Sequence, residues 1–163
     1  MQFITQSGGS IGPIGQGTWY LGEKPHFFQQ ELAALQTGID AGMNLIDTAE
    51  MYGGGAAEKL VGEAIRGYDR EKLYLVSKVF PYNAGRKNIF QSCENSLRRM
   101  NTDYMDLYLL HWRGSIPFAE TAECMEALKE RGLIRDWGVS NLDADDMEEL
   151  FRIPGGESCR TDQ

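Results

Sequence analysis

Apolar and polar positions along the chain switch between two periods. Short apolar runs centred near Ile14, Leu45, Leu75, Tyr108 and Trp137 end in a polar residue or a glycine and read as strands. Amphipathic stretches follow them. Phe28, Leu32, Leu35 and Ile39 fall on one helical face, and Leu60, Val61, Ala64 and Ile65 form a second stripe that ends before Gly67. Ile89, Cys93, Leu97 and Met100 make a third. Thr121, Met125 and Leu128 make a fourth, stopped by Gly132, a residue that suits a helix C-terminus. Met147, Leu150 and Phe151 begin a fifth, stopped by Pro154 and Gly155. No linker or low-complexity segment divides residues 1–163, which read as a single domain.

Strand–helix alternation implies βα units and a parallel sheet. The strand centres recur about every 30 residues without a matching sequence repeat, so the period is architectural. Two folds fit. A doubly wound five-stranded sheet needs about this length, whereas a (β/α)8 barrel needs about 250 residues. Length alone favours the doubly wound sheet. That fold would place a phosphate-binding turn after the first strand, but the turn here is Gly17-Thr18-Trp19-Tyr20, with a bulky Trp where phosphate needs close approach.

In either fold the working residues sit at the carboxyl ends of the strands. Those ends carry Asp47, Lys78, His111 and the pair Ser140-Asn141, with Tyr52 just past Asp47 in a glycine-flanked loop. Four polar residues at successive strand ends form a pattern that a single one would not. Each also has a plain structural reading. Asp47 and Glu50 have the spacing of a helix-capping pair. Lys78 also fits a surface lysine on an edge strand, His111 a hydrogen-bonded structural histidine, and Tyr52 a loop aromatic beside turn-forming Gly53–Gly55. Trp19 and Trp112 fit either core aromatics or the walls of a pocket, and His26 reads as structural or surface.

Charge and composition narrow the classes. The net charge of −8 argues against a general nucleic-acid or anionic-membrane binder, while leaving room for a local basic pocket. Apolar runs such as Met105–Leu110 are strand-sized, far short of the roughly 20 residues of a membrane span. Met1–Ser10 has neither a basic region nor an apolar stretch and does not read as a signal peptide. Cys93, Cys124 and Cys159 have no metal or redox spacing, which suits reduced thiols in a cytoplasmic protein; with two histidines in the chain, no zinc or other metal centre is expected.

Several motifs together resemble the aldo-keto reductase family: Gly17-Thr18-Trp19, the run from Leu45 to Gly53 containing Asp47 and Tyr52, Val76-Ser77-Lys78, the run Asp106–Trp112, and Trp137–Asn141. They stand in the family's order and spacing from about residue 12 onward, and the wording is nearest to bacterial members that accept small aldehydes such as methylglyoxal. The resemblance implies a (β/α)8 barrel, of which this chain carries about five βα units. It also implies reduction of aldehydes and ketones by NADPH, or less often NADH. Carried over, Tyr52 resembles the general acid and Lys78 the charge that lowers its pKa. Asp47 resembles the partner of Lys78, and His111 the group that orients the substrate carbonyl. Thr18, Asp47, Ser140 and Asn141 resemble cofactor contacts, with Gln163 a weaker match to an amide contact. Trp19 and Trp112 resemble walls of the substrate pocket.

At a spacing of about 30 the sixth strand starts near residues 160–165, where the sequence reaches Arg160–Gln163. The resemblance therefore implies that the aromatic stacked on the nicotinamide, the pyrophosphate strap and the 2′-phosphate ligands lie outside these residues. Two function classes follow: a carbonyl reductase, of which this is the catalytic half, or a catalytically incomplete remnant or interaction module that keeps the tetrad. Five strands cannot close a barrel, so self-association through open sheet edges is expected.

Overall fold

The computed structural model describes residues 3–4 and 10–163. Near the N-terminus β1 (Phe3–Ile4) pairs antiparallel with β2 (Ser10–Ile11). The apolar pattern gave no sign of these two-residue strands. From there the chain alternates: β3 (Gln16–Gly17), α1 (Phe28–Asp40), β4 (Leu45–Asp47), α2 (Ala56–Ala64), β5 (Tyr74–Val79), α3 (Ile89–Met100), β6 (Met105–Leu110), α4 (Phe118–Glu130), β7 (Ile134–Val139) and α5 (Ala144–Arg152).

The sheet order is β3-β4-β5-β6-β7, every pair parallel. Each new strand is added beside the last, with no reversal of direction. A doubly wound sheet has such a reversal and covers both faces with helices. Here Ile46, Leu75, Val79, Tyr108, Leu110, Trp137 and Val139 join one large core with residues of all five helices, while Leu45, Tyr74, Val76, Leu107 and Leu109 form a small separate cluster with Ile11. One face is helix-covered and the other turns inward, which is the N-terminal portion of a (β/α)8 barrel. Residues 160–163 extend it. Asp162 bridges Val139 in parallel, and the Val139 and Asn141 N–H groups donate to the Thr161 and Gln163 carbonyls at 2.9 and 3.0 Å. The sixth strand thus begins where the spacing placed it.

Two positions differ from the apolar pattern. The first sheet strand centres on Gln16–Gly17, and Ile14 is 61% exposed before it. Gln16 faces α1 and the turn after it, where its amide donates to the carbonyls of Leu35 and Met43 at 3.2 and 3.0 Å; a satisfied polar side chain fills a place that hydrophobicity would assign to an apolar one. In α5, Leu150 is buried but Phe151 is 55% exposed, so the inward stripe is Met147 and Leu150.

Gly62, in α2, marks the closest approach of α2 to the end of α3. A Cβ there would lie 2.6 Å from the Arg99 carbonyl oxygen and 2.8 Å from the Met100 carbonyl carbon. Gly→Ala inside a helix normally stabilises by about 1 kcal/mol. At Gly62 overpacking against backbone outweighs that gain, for a net loss of about 1–2 kcal/mol. Thermal unfolding followed by circular dichroism should show a lower melting temperature for Gly62→Ala; an equal or higher one would mean that the two helices have room to spare.

Candidate active site

The register of β4 on β5 pairs Asp47 with Val76, and that of β5 on β6 pairs Lys78 with Leu109. Side chains alternate faces along a strand, so Asp47, Lys78 and His111, two residues beyond Leu109, come to the same inward face at the same end. Thr18 holds the first of them. It is fully buried, and both its backbone N–H and its Oγ1 donate to the Asp47 carbonyl, at 3.0 and 2.9 Å.

Lys78 is no edge-strand surface residue: it is 1% exposed. Its ammonium has three protons and three partners, Asp47 Oδ1 at 2.6 Å, the Thr48 carbonyl at 3.1 Å and Tyr52 Oη at 3.5 Å. Tyr52 reaches that point because the chain turns sharply after it. Gly53, Gly54 and Gly55 all have positive φ (56°, 61° and 92°), a run that residues with a Cβ would strain to adopt, and it leads directly into α2. The capping reading of Asp47 and Glu50 does not hold. The Asp47 carboxylate serves Lys78 and Gln163, and Glu50 Oε1 accepts the Phe80 N–H across the sheet at 2.6 Å.

His111 follows β6, its N–H on the Val79 carbonyl at 3.1 Å and its ring edge-on to Tyr52, centroids 5.6 Å apart. Its Nδ1 is buried without a partner among the described residues. Ser140, Asn141 and Gln163 form a polar ledge. Ser140 Oγ donates to the Gln163 carbonyl at 2.9 Å, Asn141 Nδ2 donates to the His111 carbonyl and to Ser140 Oγ, and Gln163 Nε2 donates to Asp47 Oδ2 at 2.9 Å. Asn141 sits at a φ of 58°, a region that asparagine tolerates better than most residues.

Trp19, Met51, Tyr52, His111, Trp112 and Asn141 line a cleft of about 490 Å³. Trp19 lies nearly parallel to Tyr52 at 6.2 Å, and Trp112 packs against His111 and Phe80. Asp47, Tyr52, Lys78, His111, Ser140 and Asn141 thus gather at one rim with Trp19 and Trp112. His26 is exposed and takes no part in it.

Residues 13–158 match the sequence profile of the Aldo/keto reductase family. The chain belongs to the aldo/keto reductase family. It is 58% identical over 154 residues to methylglyoxal reductase YeaE of Escherichia coli (strain K12), an alignment covering 94% of this chain and 54% of that protein. It is 38% identical to aldo-keto reductase YhdN of Bacillus subtilis (strain 168), covering 92% of this chain and 49% of the relative. An aldo/keto reductase from Klebsiella pneumoniae, solved in complex with NADP and acetate, superposes with a TM-score of 0.92 at 57% identity, over 94% of this chain and 54% of that one. The chain thus spans about half the length of these relatives.

The electrostatics of this aldo/keto reductase site correct one expectation. Lys78 does not bring the Tyr52 pKa below the ordinary phenol value, because its pull is outweighed. Burial raises it, and the Asp47 carboxylate raises it further. The ammonium is committed to Asp47 at 2.6 Å, so the pair offers the phenol little net positive charge. Burial also lowers the Lys78 pKa, against the opposing pull of Asp47. Burial first, and the Lys78 charge second, lower the His111 pKa to about 4, so its imidazole is neutral at pH 7. Two residues had weaker sequence signals. Gln163 stood at the margin of the pattern, and the role of Glu50 was hidden because its partners, Phe80 and Asn83, lie some thirty positions away.

The signs of two substitutions follow. Lys78→Met leaves Asp47 uncompensated beside the phenol and should raise the pH at which Tyr52 ionises. Asp47→Asn removes a group that raises it and should lower that pH, the reverse of what a role purely through Lys78 would give. Ultraviolet difference titration, with Tyr52→Phe to assign the signal, reads both; the same direction in the two variants would show that Asp47 does not act on Tyr52 directly.

Proposed function

We propose that this chain is the catalytic half of an aldo-keto reductase that reduces small aldehydes and 2-oxoaldehydes of the methylglyoxal class with NADPH, NADH being the alternative donor. In this reading residues 1–163 are one domain, the N-terminal part of the barrel. The observation that carries it is the convergence of Tyr52, Lys78, Asp47 and His111 at one strand-end rim beside an aromatic-lined cleft. The relative named a methylglyoxal reductase and the Klebsiella pneumoniae structure holding NADP support the substrate class and the cofactor.

The residues present fit a nicotinamide. Asn141 and Gln163 each keep a side-chain amide oxygen that no group among the described residues claims, as a carboxamide N–H requires, and Asn141 borders the same cleft as Tyr52 and His111. Ser140 orders the ledge, and Thr18 and Asp47, joined by two hydrogen bonds, would meet the ribose part of the cofactor. The reduced nicotinamide, when bound, supplies a hydride. The protein does the rest. A neutral His111 holds the carbonyl oxygen, and Trp19 and Trp112 confine the substrate. Tyr52, kept protonated by burial and by Asp47, gives its proton to the oxygen as negative charge develops there. The phenolate left behind lies 3.5 Å from the Lys78 ammonium, which stabilises it. Carbonyl carbon gains hydride, oxygen gains the phenol proton, and the product is an alcohol.

The alternative class, an incomplete remnant or interaction module, would keep the same tetrad; the open cleft beside the buried ion pair supports the reductase reading, and turnover decides between the two. A soluble, cytoplasmic setting goes with the reading, and among the described residues no helix is long and apolar enough to cross a membrane.

Tyr52→Phe removes only the hydroxyl. In the full-length polypeptide it should cut NADPH-dependent reduction of methylglyoxal by about 10²–10⁴-fold while leaving the cofactor dissociation constant unchanged within experimental error. Nicotinamide absorbance and fluorescence titration read the two; near-parental turnover would remove Tyr52 from the role of acid. A polypeptide of only these 163 residues presents β3 and residues 160–163 as sheet edges, each with one partner strand among the described residues. We expect it to self-associate, and sedimentation showing a stable monomer would refute that.

A further inference from the structure

Glu50 lies between Asp47 and Tyr52 in sequence, yet the proposed reaction gives it no part. It is half-buried, and its hydrogen bonds among the described residues cross to β5 and the segment just after it. Its backbone N–H donates to the Lys78 carbonyl at 3.3 Å. Its Oε1 accepts the Phe80 N–H at 2.6 Å and Asn83 Nδ2 at 3.1 Å.

The order of these bonds gives them meaning. Between β4 and β5 the parallel ladder runs past the strand ends: the Thr48 N–H donates to the Val76 carbonyl, then the Glu50 N–H to the Lys78 carbonyl. A continuing ladder would next bring the Phe80 N–H to the Glu50 carbonyl. The Glu50 side chain takes that bond instead. Its carboxylate stands in for its own carbonyl, so the backbone is released from the sheet at Glu50 and enters the turn that carries Tyr52, where the Tyr52 N–H donates to the Ala49 carbonyl at 3.1 Å. Phe80, held at the other end, is the ring against which Trp112 packs, and Trp112 packs against His111. A single carboxylate therefore ties the loop bearing the phenol to the strand bearing Lys78 and to the wall behind His111.

We infer that Glu50 is a positioning residue for Tyr52, acting through the paired Glu50–Phe80 backbone at the β4–β5 strand ends and fixing the distance between the phenol and Lys78. This deepens, and rests on, the reading of the site as a carbonyl reductase, but the tie itself is testable without activity.

The test compares Glu50→Ala with Glu50→Gln in the full-length polypeptide. Gln keeps an Oε1 that can accept both N–H groups, and Ala keeps none. Two quantities are measured: steady-state reduction of methylglyoxal with NADPH, and the ionisation of Tyr52 by NMR with ring-labelled tyrosine, assigned with Tyr52→Phe. Glu50→Ala should lower kcat by about 10- to 100-fold, the scale of a small misplacement of a reacting group. KM for NADPH should stay within about twofold, since the polar ledge is untouched. The Tyr52 titration should move down toward the ordinary phenol value of about 10 as the loosened ring meets water. Glu50→Gln should restore both. Glu50→Asp, whose shorter side chain cannot span to Phe80, gives the same comparison if Glu50→Ala does not fold. A wild-type Tyr52 titration in Glu50→Ala or Glu50→Asp overturns the inference, as does a Glu50→Gln as impaired as Glu50→Ala. A wild-type protein that reduces no carbonyl, with the titration still shifted in Glu50→Ala, overturns the reductase reading and leaves the positioning of Tyr52 standing.

Discussion

An ammonium group with almost no access to water dominates this half of the barrel. Removing such a charge from water costs several kcal/mol even after relaxation, and the cost is tolerable only when opposite charge and hydrogen bonds surround it. Lys78 has both: Asp47 at 2.6 Å, a backbone carbonyl and the phenol oxygen. Loss of either charged partner would strand the other, a penalty of about 3–5 kcal/mol where such pairs are buried. The demands of this pair then spread outward. Asp47 must be fixed, which Thr18 does with two bonds to its carbonyl. Tyr52 must turn back over Lys78, which the three glycines permit.

The parallel register meets those demands. Val76 and Lys78 on β5 face the same way as Leu107 and Leu109 on β6, which pair with Asp136 and Gly138 on β7. Two residues further along these rows lie His111 and Ser140. A slip of one residue on any strand would send its member of the set into the helix-packed core. The large core that fixes the register, Leu75, Tyr108 and Trp137 among it, lies on the opposite face from the site. Packing and chemistry are thus separated by the alternation of the strand, and the core can specify the site without entering it.

Much of this was legible because both periods are strong. The α3 stripe of Ile89, Cys93, Leu97 and Met100 is buried throughout, and four of the five strand centres fall inside the observed strands. The doubly wound alternative survived only as long as length was the argument; the order of the strands decided against it, and strand order is not written in hydrophobicity. Gln16 escaped because a polar residue satisfied by two carbonyls can occupy an inner position. Glu50 escaped for a related reason. Its spacing from Asp47 matched a local capping motif, and nothing in the sequence shows that its acceptor would be used by an N–H thirty positions away. Local patterns find elements; the long-range hydrogen bonds that join them are visible only in three dimensions.

The direction of the Tyr52 shift has the deepest consequence for the chemistry. A phenol whose pKa was pulled down by a free lysine would be a stronger acid, but it would also spend more time ionised and unable to give a proton. Here the lysine charge is balanced by Asp47, and burial keeps both Tyr52 and His111 neutral. The site at rest therefore holds one ion pair and two uncharged hydrogen-bonding groups beside the cleft. In the proposed reaction negative charge appears on the substrate oxygen only as hydride arrives. Tyr52 then transfers its proton, and the Lys78 ammonium faces a phenolate that did not exist before. The interaction between those two charges is thus made mainly in the transition state and after it, which is where stabilisation accelerates a reaction rather than merely tightening binding. An uncompensated lysine would exert the same attraction on the phenolate but would also hold part of the resting site ionised, with no proton to give, and the balanced pair avoids that loss.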